Sequence, residues 1–311
     1  MSDQADGLRQ LVQARTASGS GGTAVADPPA TARLAGTPPP TRTRSLVLTS
    51  GKGGVGTSNL ALNLAVALGE LGERVVLVDA DLGLANIDLL CGLAPASDLG
   101  DVLVGDQPLA EAIVQGPAGI RIVPGAHGMR TLVEVLGDAP GRLVAELAEL
   151  EAEADFVLVD AGSGLGPSIM TLAAAADEVV LVTTPEPTSV ADAHAAINRL
   201  RRLAGPPRLL AVVNQAASAA EASDVLVRLT ASSRQFLGTV VTGLGHVRAD
   251  PHVPLSVRIR RPLLVAYPNS IASRGIRRLA RDLIAQRQPQ SRRPGFFAAL
   301  AARWALSRLA R

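Results

Sequence analysis

The chain has 311 residues, 47% of them hydrophobic, a net charge of +2 and one cysteine, Cys91. That is enough apolar material for one large core plus tails, while a single cysteine excludes an internal disulfide framework and points to a reducing cytoplasm. Met1 is followed by Ser2-Asp3-Gln4, with neither a basic nor an apolar leader region, so no signal peptide is expected. No apolar run reaches the roughly 18 residues of a spanning helix.

Charge is unevenly placed. Arg258 to Arg311 holds 13 Arg and one acid, Asp282, so this end carries +12 and the remainder −10. A basic end on an acidic body suits an anionic partner, either nucleic acid or a membrane surface. Of the 30 basic residues 29 are Arg, and the only lysine is Lys52. A compact ammonium differs physically from a planar guanidinium, so its position matters.

In chain order, residues 1–15 have weak helical spacing through Ala5, Leu8, Leu11 and Val12. Residues 16–44, rich in Gly, Pro, Ser and Thr, read as a disordered linker. Over 45–287, short apolar runs alternate with helical stretches. The runs 46–48, 75–78, 120–123, 156–159, 179–182 and 209–213 predict strands, with a less clear one at Val240-Val241. Helices are expected over 58–71, 141–153, 168–176, 188–203, 219–234 and 269–287. Such alternation predicts an α/β fold, a doubly wound, mostly parallel sheet with helices on both faces. Ligands of such sheets bind beyond the carboxyl ends of the strands.

After the first strand stands Gly51-Lys52-Gly53-Gly54-Val55-Gly56-Thr57-Ser58, close to the phosphate-loop pattern G-x-x-x-x-G-K-[ST] but with Thr57 in the lysine position. Backbone N–H groups from Gly51 to Asn59 can converge on phosphate oxygens at a helix N-terminus, and Ser58 can offer its hydroxyl to Mg2+. After the second strand come Asp79 and Asp81, and after the fourth come Asp160 and Gly162. Acids that close apolar strands are what a Walker B position needs, and a second acid can orient an attacking water. The alternative is that they cap helices or form turns. Asn214, after the sixth strand, can pair with a base edge or serve as a plain turn residue. His127, His194, His246 and His252 have no ligand-like spacing.

These residues resemble a known family. Lys52-Gly53-Gly54-Val55-Gly56 is similar to the deviant Walker A loop of the MinD/ParA-type ATPases, with Asp79–Asp88 resembling switch I and Asp160–Gly164 resembling switch II. Within it, the flagellar-number group (FlhG, also FleN or YlxH) is matched by Val182–Ser189, by Arg261-Pro262-Leu263 with Tyr267-Pro268-Asn269-Ser270, and by an N-terminal element with Asp3, Gln4, Ala5, Leu8 and Arg9. The resemblance covers roughly residues 2–13 and 44–290. It implies ATP and Mg2+ as cofactors, an ATP-dependent homodimer, and a signature lysine, here Lys52, that reaches into the partner's site. It further implies that Asp81 orients the hydrolytic water, that Ser58 binds Mg2+ directly and Asp160 through water, that Gly162 offers its N–H to the γ-phosphate, and that Asn214 reads adenine. Arg248, where the family has Pro, and Asp250 fall beside the base. The N-terminal element implies activation of FlhF, a signal-recognition-type GTPase, and flagellar C-ring components are a further implied partner. The implied location is cytoplasmic, peripheral at the inner face of the cell membrane. Thr57 departs from the family by removing the lysine that bridges β- and γ-phosphates in cis.

Residues 288–295 read as a spacer, and 296–309 as an amphipathic helix. Phe296, Phe297, Leu300 and Trp304 share an arc of about 100° flanked by Arg303 and Arg308, as in an interfacial membrane helix. Packing of this stripe on the protein's own body is the alternative. Two other functions stay open at this point: a ParA-like partition ATPase that binds DNA through its C-terminal arginines, and a non-hydrolysing scaffold, since losing a lysine weakens electrostatic stabilisation of phosphoryl transfer.

Overall fold

A computed structural model describes residues 42–81, 85–104, 107–125, 141–287 and 294–309, with backbone only for 103–104 and 304–309. The N-terminal element with Asp3, Gln4, Ala5, Leu8 and Arg9, most of the linker, Leu82–Leu84 of the expected switch I, and most of the spacer lie outside the described residues, as do the side chains of Trp304 and Arg308.

Strands β1 (Arg44–Ser50), β2 (Val75–Asp79), β3 (Val114–Gln115), β4 (Arg121–Val123), β5 (Phe156–Ser163), β6 (Glu178–Thr183), β7 (Arg208–Ala216) and β8 (Val241–Arg248) form one sheet. Their order is β3-β4-β2-β5-β1-β6-β7-β8. Among the described residues only the β3–β4 edge pair is antiparallel. Alternation along β1 sorts the core. Leu46 and Leu48 join one apolar cluster and Val47 the other, on opposite sheet faces. β-branched and leucine side chains on both faces are what a buried parallel strand requires.

One face is covered by α1 (Thr57–Glu70) and α11 (Ile271–Ala285). Helix α1 is apolar nearly all round, with Leu60 through Leu68 buried, so it sits inside rather than on the surface. Each of its buried leucines contributes about 1.5–3 kcal/mol, and a charge at Leu64 would break the helix seat. Its one fully buried polar side chain is satisfied: Asn63 Oδ1 accepts the Leu264 N–H (3.0 Å) and Nδ2 donates to the Asn59 carbonyl (2.8 Å). The other face carries α5 (Gly141–Ala152), α6 (Pro167–Ala175), α7 (Pro187–Leu200) and α8 (Ala219–Leu237), plus α12 (Phe296–Leu309). Among the described residues, five short helices fall in segments where no periodicity predicts one: α2 (Ile87–Cys91), α3 (Leu99–Val104), α4 (Leu109–Ala112), α9 (His252–Arg258) and α10 (Leu263–Ala266). One or two turns cannot display a 3.6-residue period.

The expected linker ends earlier than residue 44. The Thr43 hydroxyl donates to the Glu151 and Ala154 carbonyls, and Arg44 belongs to β1. Arg44 is buried because its guanidinium meets Glu178 at 2.6 Å, donates to the Leu283 carbonyl and lies over the Phe156 ring. The strand at 240–241 is also longer than expected, running to Arg248 with Gly243 and Gly245 diluting its apolar signal.

Candidate nucleotide site

Strand β1 delivers the glycine loop to the sheet edge, and α1 begins at Thr57. Gly56 has φ +88°, and a Cβ there would meet the Asn214 amide at 2.7 Å, so both backbone and space demand glycine. The loop is held from β7: Asn214 Nδ2 donates to the Val55 carbonyl (2.8 Å) and Gln215 Nε2 to the Gly54 carbonyl (3.4 Å). Within the loop, Ser50 Oγ donates to the Lys52 carbonyl (2.9 Å) and Thr57 Oγ1 to Ser50 Oγ (3.1 Å). Thr57 is therefore buried and turned back toward β1, and provides no cation.

Lys52 is half-exposed, and its Nζ donates to Glu186 Oε2 (2.5 Å) and Thr188 Oγ1 (3.0 Å), at the end of β6. The only ammonium in the chain is thus held at the rim by its own subunit.

β2 and β5 pair so that Asp79 stands opposite Asp160. Both are buried. Burial, then the Asp160 charge, pushes Asp79 up to about 7 against N–H bonds from Ile87, Asn86 and Asp81. Burial likewise pushes Asp160 up to about 6, against the Ser58 hydroxyl and Gly162 N–H and with help from the Asp81 charge. The Gly162 N–H, expected to face a phosphate, here donates to Asp160 Oδ1 (3.1 Å). A Cβ at Gly162 would fall 2.3 Å from Asp81 Oδ2, so Asp81 lies directly against this turn. The sequence-predicted group of Ser58, Asp81, Asp160 and Gly162 is therefore brought together. Asp79 instead anchors the α2 entry, accepting from Asn86 (2.9 Å) and Ile87 (3.1 Å).

Among the described residues no cluster of three or more His, Cys, Asp or Glu forms a cage for a metal. Mg2+ fits all the same, because it is held by one or two carboxylates with waters and phosphate oxygens rather than by a closed protein cage. Ser58 and Asp160 supply that donor set, and a divalent charge would relieve the crowding of acids at this edge.

Beside the loop lies a cavity of about 410 Å³, lined among others by Gly56, Asn59, Asn214, Gln215, Arg248 and Asp250. Its polar groups are already paired. Arg248 donates to the Ala217 carbonyl through Nε (3.3 Å) and Nη2 (3.0 Å). Asp250, expected beside the base, lines this cavity, and its carboxylate braces the fold. It accepts the His252 N–H (2.9 Å), contacts the His252 ring (2.8 Å) and accepts the Ala272 N–H (2.9 Å) at the start of α11. Against the upward push of burial, the Ala272 and His252 N–H bonds, the His252 ring and Ser270 hold it well below the carboxylate range. Sequence reasoning assigned no role to Glu186, Thr188 or Gln215. Their position just after β6 or near the end of β7 is the signal that could have found them.

The C-terminal stripe takes the alternative seat, on the protein's own body. Phe296, Phe297 and Leu300 are buried in the core cluster, where α12 packs on α5 and α6. Glu151 accepts the Phe296 (2.7 Å) and Phe297 (3.2 Å) N–H groups, and Arg303 Nη2 donates to the Ala204 carbonyl (3.2 Å). As seated, these rings face α5 and α6, not a lipid surface. Among the described residues no helix is long and apolar enough to cross a membrane.

A family model described as an AAA domain matches residues 43–206. Over 238 residues the chain is 38% identical to the antiactivator FleN of Pseudomonas aeruginosa, covering 76% of this chain and 85% of FleN. It is 32% identical over 246 residues to the flagellum site-determining protein YlxH of Helicobacter pylori, covering 78% and 83% respectively. The chain belongs to the MinD/ParA-type P-loop ATPases, close to the FlhG group. Members of this family use ATP with Mg2+. A solved relative, the septum site-determining protein MinD of Pyrococcus horikoshii complexed with Mg-ADP, superposes with a TM-score of 0.62 at 29% identity, covering 78% of this chain and 98% of that one.

Proposed function

We propose that this P-loop ATPase is an ATP-dependent dimerisation switch that cycles on and off a membrane and controls flagellum number or placement. The observation that carries this reading is the grouping of Ser58, Asp160 and Asp81 at the mouth of a glycine loop whose only lysine stands at its rim. FleN and YlxH, by their names an antiactivator and a flagellum site-determining protein, supply the flagellar part.

In this reading Ser58 and Asp160 hold Mg2+, which neutralises phosphate charge when bound. The loop N–H groups and the α1 N-terminus orient the phosphates. Asp81 positions the attacking water. Lys52 leaves Glu186 and Thr188 to meet the partner's phosphates, so the rim ion pair opposes dimerisation until ATP is bound. Helix α6 follows the Asp160–Gly166 turn and forms part of the seat of α12. A shift of that turn on ATP binding would loosen the seat and free Phe296, Phe297 and Leu300 for lipid, with paired helices in the dimer binding far more tightly than one. The N-terminal element would meet an FlhF-like GTPase, and C-ring components would be later partners.

Co-sedimentation tests this. With Mg2+ and ATP the chain should pellet with anionic vesicles, and with ADP it should stay in solution. Phe297→Ala, which weakens the seat, should raise the ADP-state background. Binding to DNA but not to vesicles in any nucleotide state would overturn the membrane reading in favour of a partition-type ATPase.

A further inference from the structure

The phosphate cradle lacks its usual cation, and the structure narrows what can replace it. Thr57 is turned to Ser50, and Lys52 is paired with Glu186 at the rim. Arg248 lies on the base side and is tied to the Ala217 carbonyl.

On the opposite flank of the α1 N-terminus is a second cavity of about 310 Å³, lined by Ser58, Asn86, Leu89, Leu90, Val257 and Arg260. Of Arg258 at the end of α9 and Arg260 and Arg261 in the turn after it, only Arg260 lines it. Among the described residues its guanidinium has neither a hydrogen bond nor an ion pair. Its backbone has φ +50°, the left-handed conformation that commonly closes a helix, here α9, with Arg261 N–H donating to the Ser256 carbonyl (3.1 Å). The turn is held there: Arg260 N–H donates to the Val257 carbonyl (3.0 Å), and Gly92 packs so close that a Cβ on it would lie 2.6 Å from the Arg260 carbonyl. An exposed arginine that lines the same cavity as Ser58 and has no side-chain partner among the described residues suits an oxyanion, which a guanidinium can grip with two parallel N–H bonds.

We propose that Arg260 supplies, from the turn after α9, the positive charge toward the nucleotide's phosphates that position 57 lacks. This rests on the nucleotide-site reading above. It assigns Arg260 to the nucleotide of its own subunit, beside Ser58, and leaves Lys52 to the partner's.

Equilibrium titration of the full-length chain with a fluorescent ADP analogue and Mg2+ tests it without requiring dimerisation. Arg260→Ala and Arg260→Gln should each weaken binding roughly 10- to 100-fold, the loss expected for one charged hydrogen-bonding group, with an unchanged circular-dichroism melt. Adding Thr57→Lys to Arg260→Ala should bring affinity back to within about threefold of wild type. Affinity of both Arg260 variants within about twofold of wild type would overturn the inference alone. So would a lowered melt with an affinity loss that Thr57→Lys does not rescue, which would assign Arg260 to the fold. A wild-type chain that binds neither ADP nor ATP would overturn the nucleotide-site reading as well.

Discussion

The α1 N-terminus has a different kind of cavity on each side. On the Asn214 side every polar side chain is already committed: Asn214 and Gln215 to the glycine loop, Arg248 to Ala217, Asp250 to His252 and Ala272. On the Ser58 side, buried acids crowd one strand edge and Arg260 has no partner among the described residues. The first side is built before any ligand arrives, and its polar residues hold the loop in shape. The second presents an exposed arginine with no side-chain partner among the described residues. Substitutions should therefore divide, with the Asn214 side costing stability and the Ser58 side costing binding and turnover.

The largest effect is expected at Asp81. Asp81→Ala should lower lipid-stimulated phosphate release about 10²- to 10⁴-fold while leaving the ligand-free melt unchanged or slightly raised, because its charge disfavours ionised Asp160. Equal rates in wild type and variant would make the chain a scaffold rather than a working ATPase. Next is Asp250→Asn, which should cost about 1.5–3 kcal/mol in urea unfolding at pH 7, since charged hydrogen bonds to backbone N–H are lost. The sign with pH follows from a depressed folded pKa. The full difference between wild type and variant holds above the unfolded value of about 3.9 and shrinks as pH falls below it toward the folded value. A difference that grows on acidification would contradict the bracing role. The smallest effect is Asn214→Ala, about 1 kcal/mol from one hydrogen bond to the loop, read by the same unfolding experiment. A variant with normal stability but weakened nucleotide affinity would place Asn214 with the ligand rather than with the loop.

Much of this was legible in the sequence. Strand runs such as Phe156–Val159 and Val179–Val182 are apolar on both faces, which only a covered parallel strand tolerates. A strand end followed by glycine or acid then places Gly51–Ser58, Asp79 and Asp160 at one edge. What remained hidden depends on contacts distant in sequence. Lys52 and Glu186 lie 134 residues apart, and nothing local to the loop indicates that pairing. Asp250 reads as a pocket acid until its bond to Ala272 is seen. The spacing of Phe296, Phe297 and Leu300 marks an apolar face, but periodicity does not say what covers it, and α5 and α6 cover it here. Composition places Arg44 in the linker because it cannot reveal the contacts with Glu178 and Phe156.

The contrast between the two flanks also explains how a phosphate loop can lack its usual lysine. Position 57 is a buried hydroxyl tied to Ser50, while Lys52 is paired with Glu186 at the rim, where the proposed dimer would bring a partner's phosphates. Sedimentation velocity on the wild-type chain and Lys52→Arg, each with Mg2+ and a slowly hydrolysed ATP analogue, tests this most directly. The account predicts a dimer for wild type and a monomer for Lys52→Arg. A Lys52→Arg chain that dimerises as fully as wild type would contradict it.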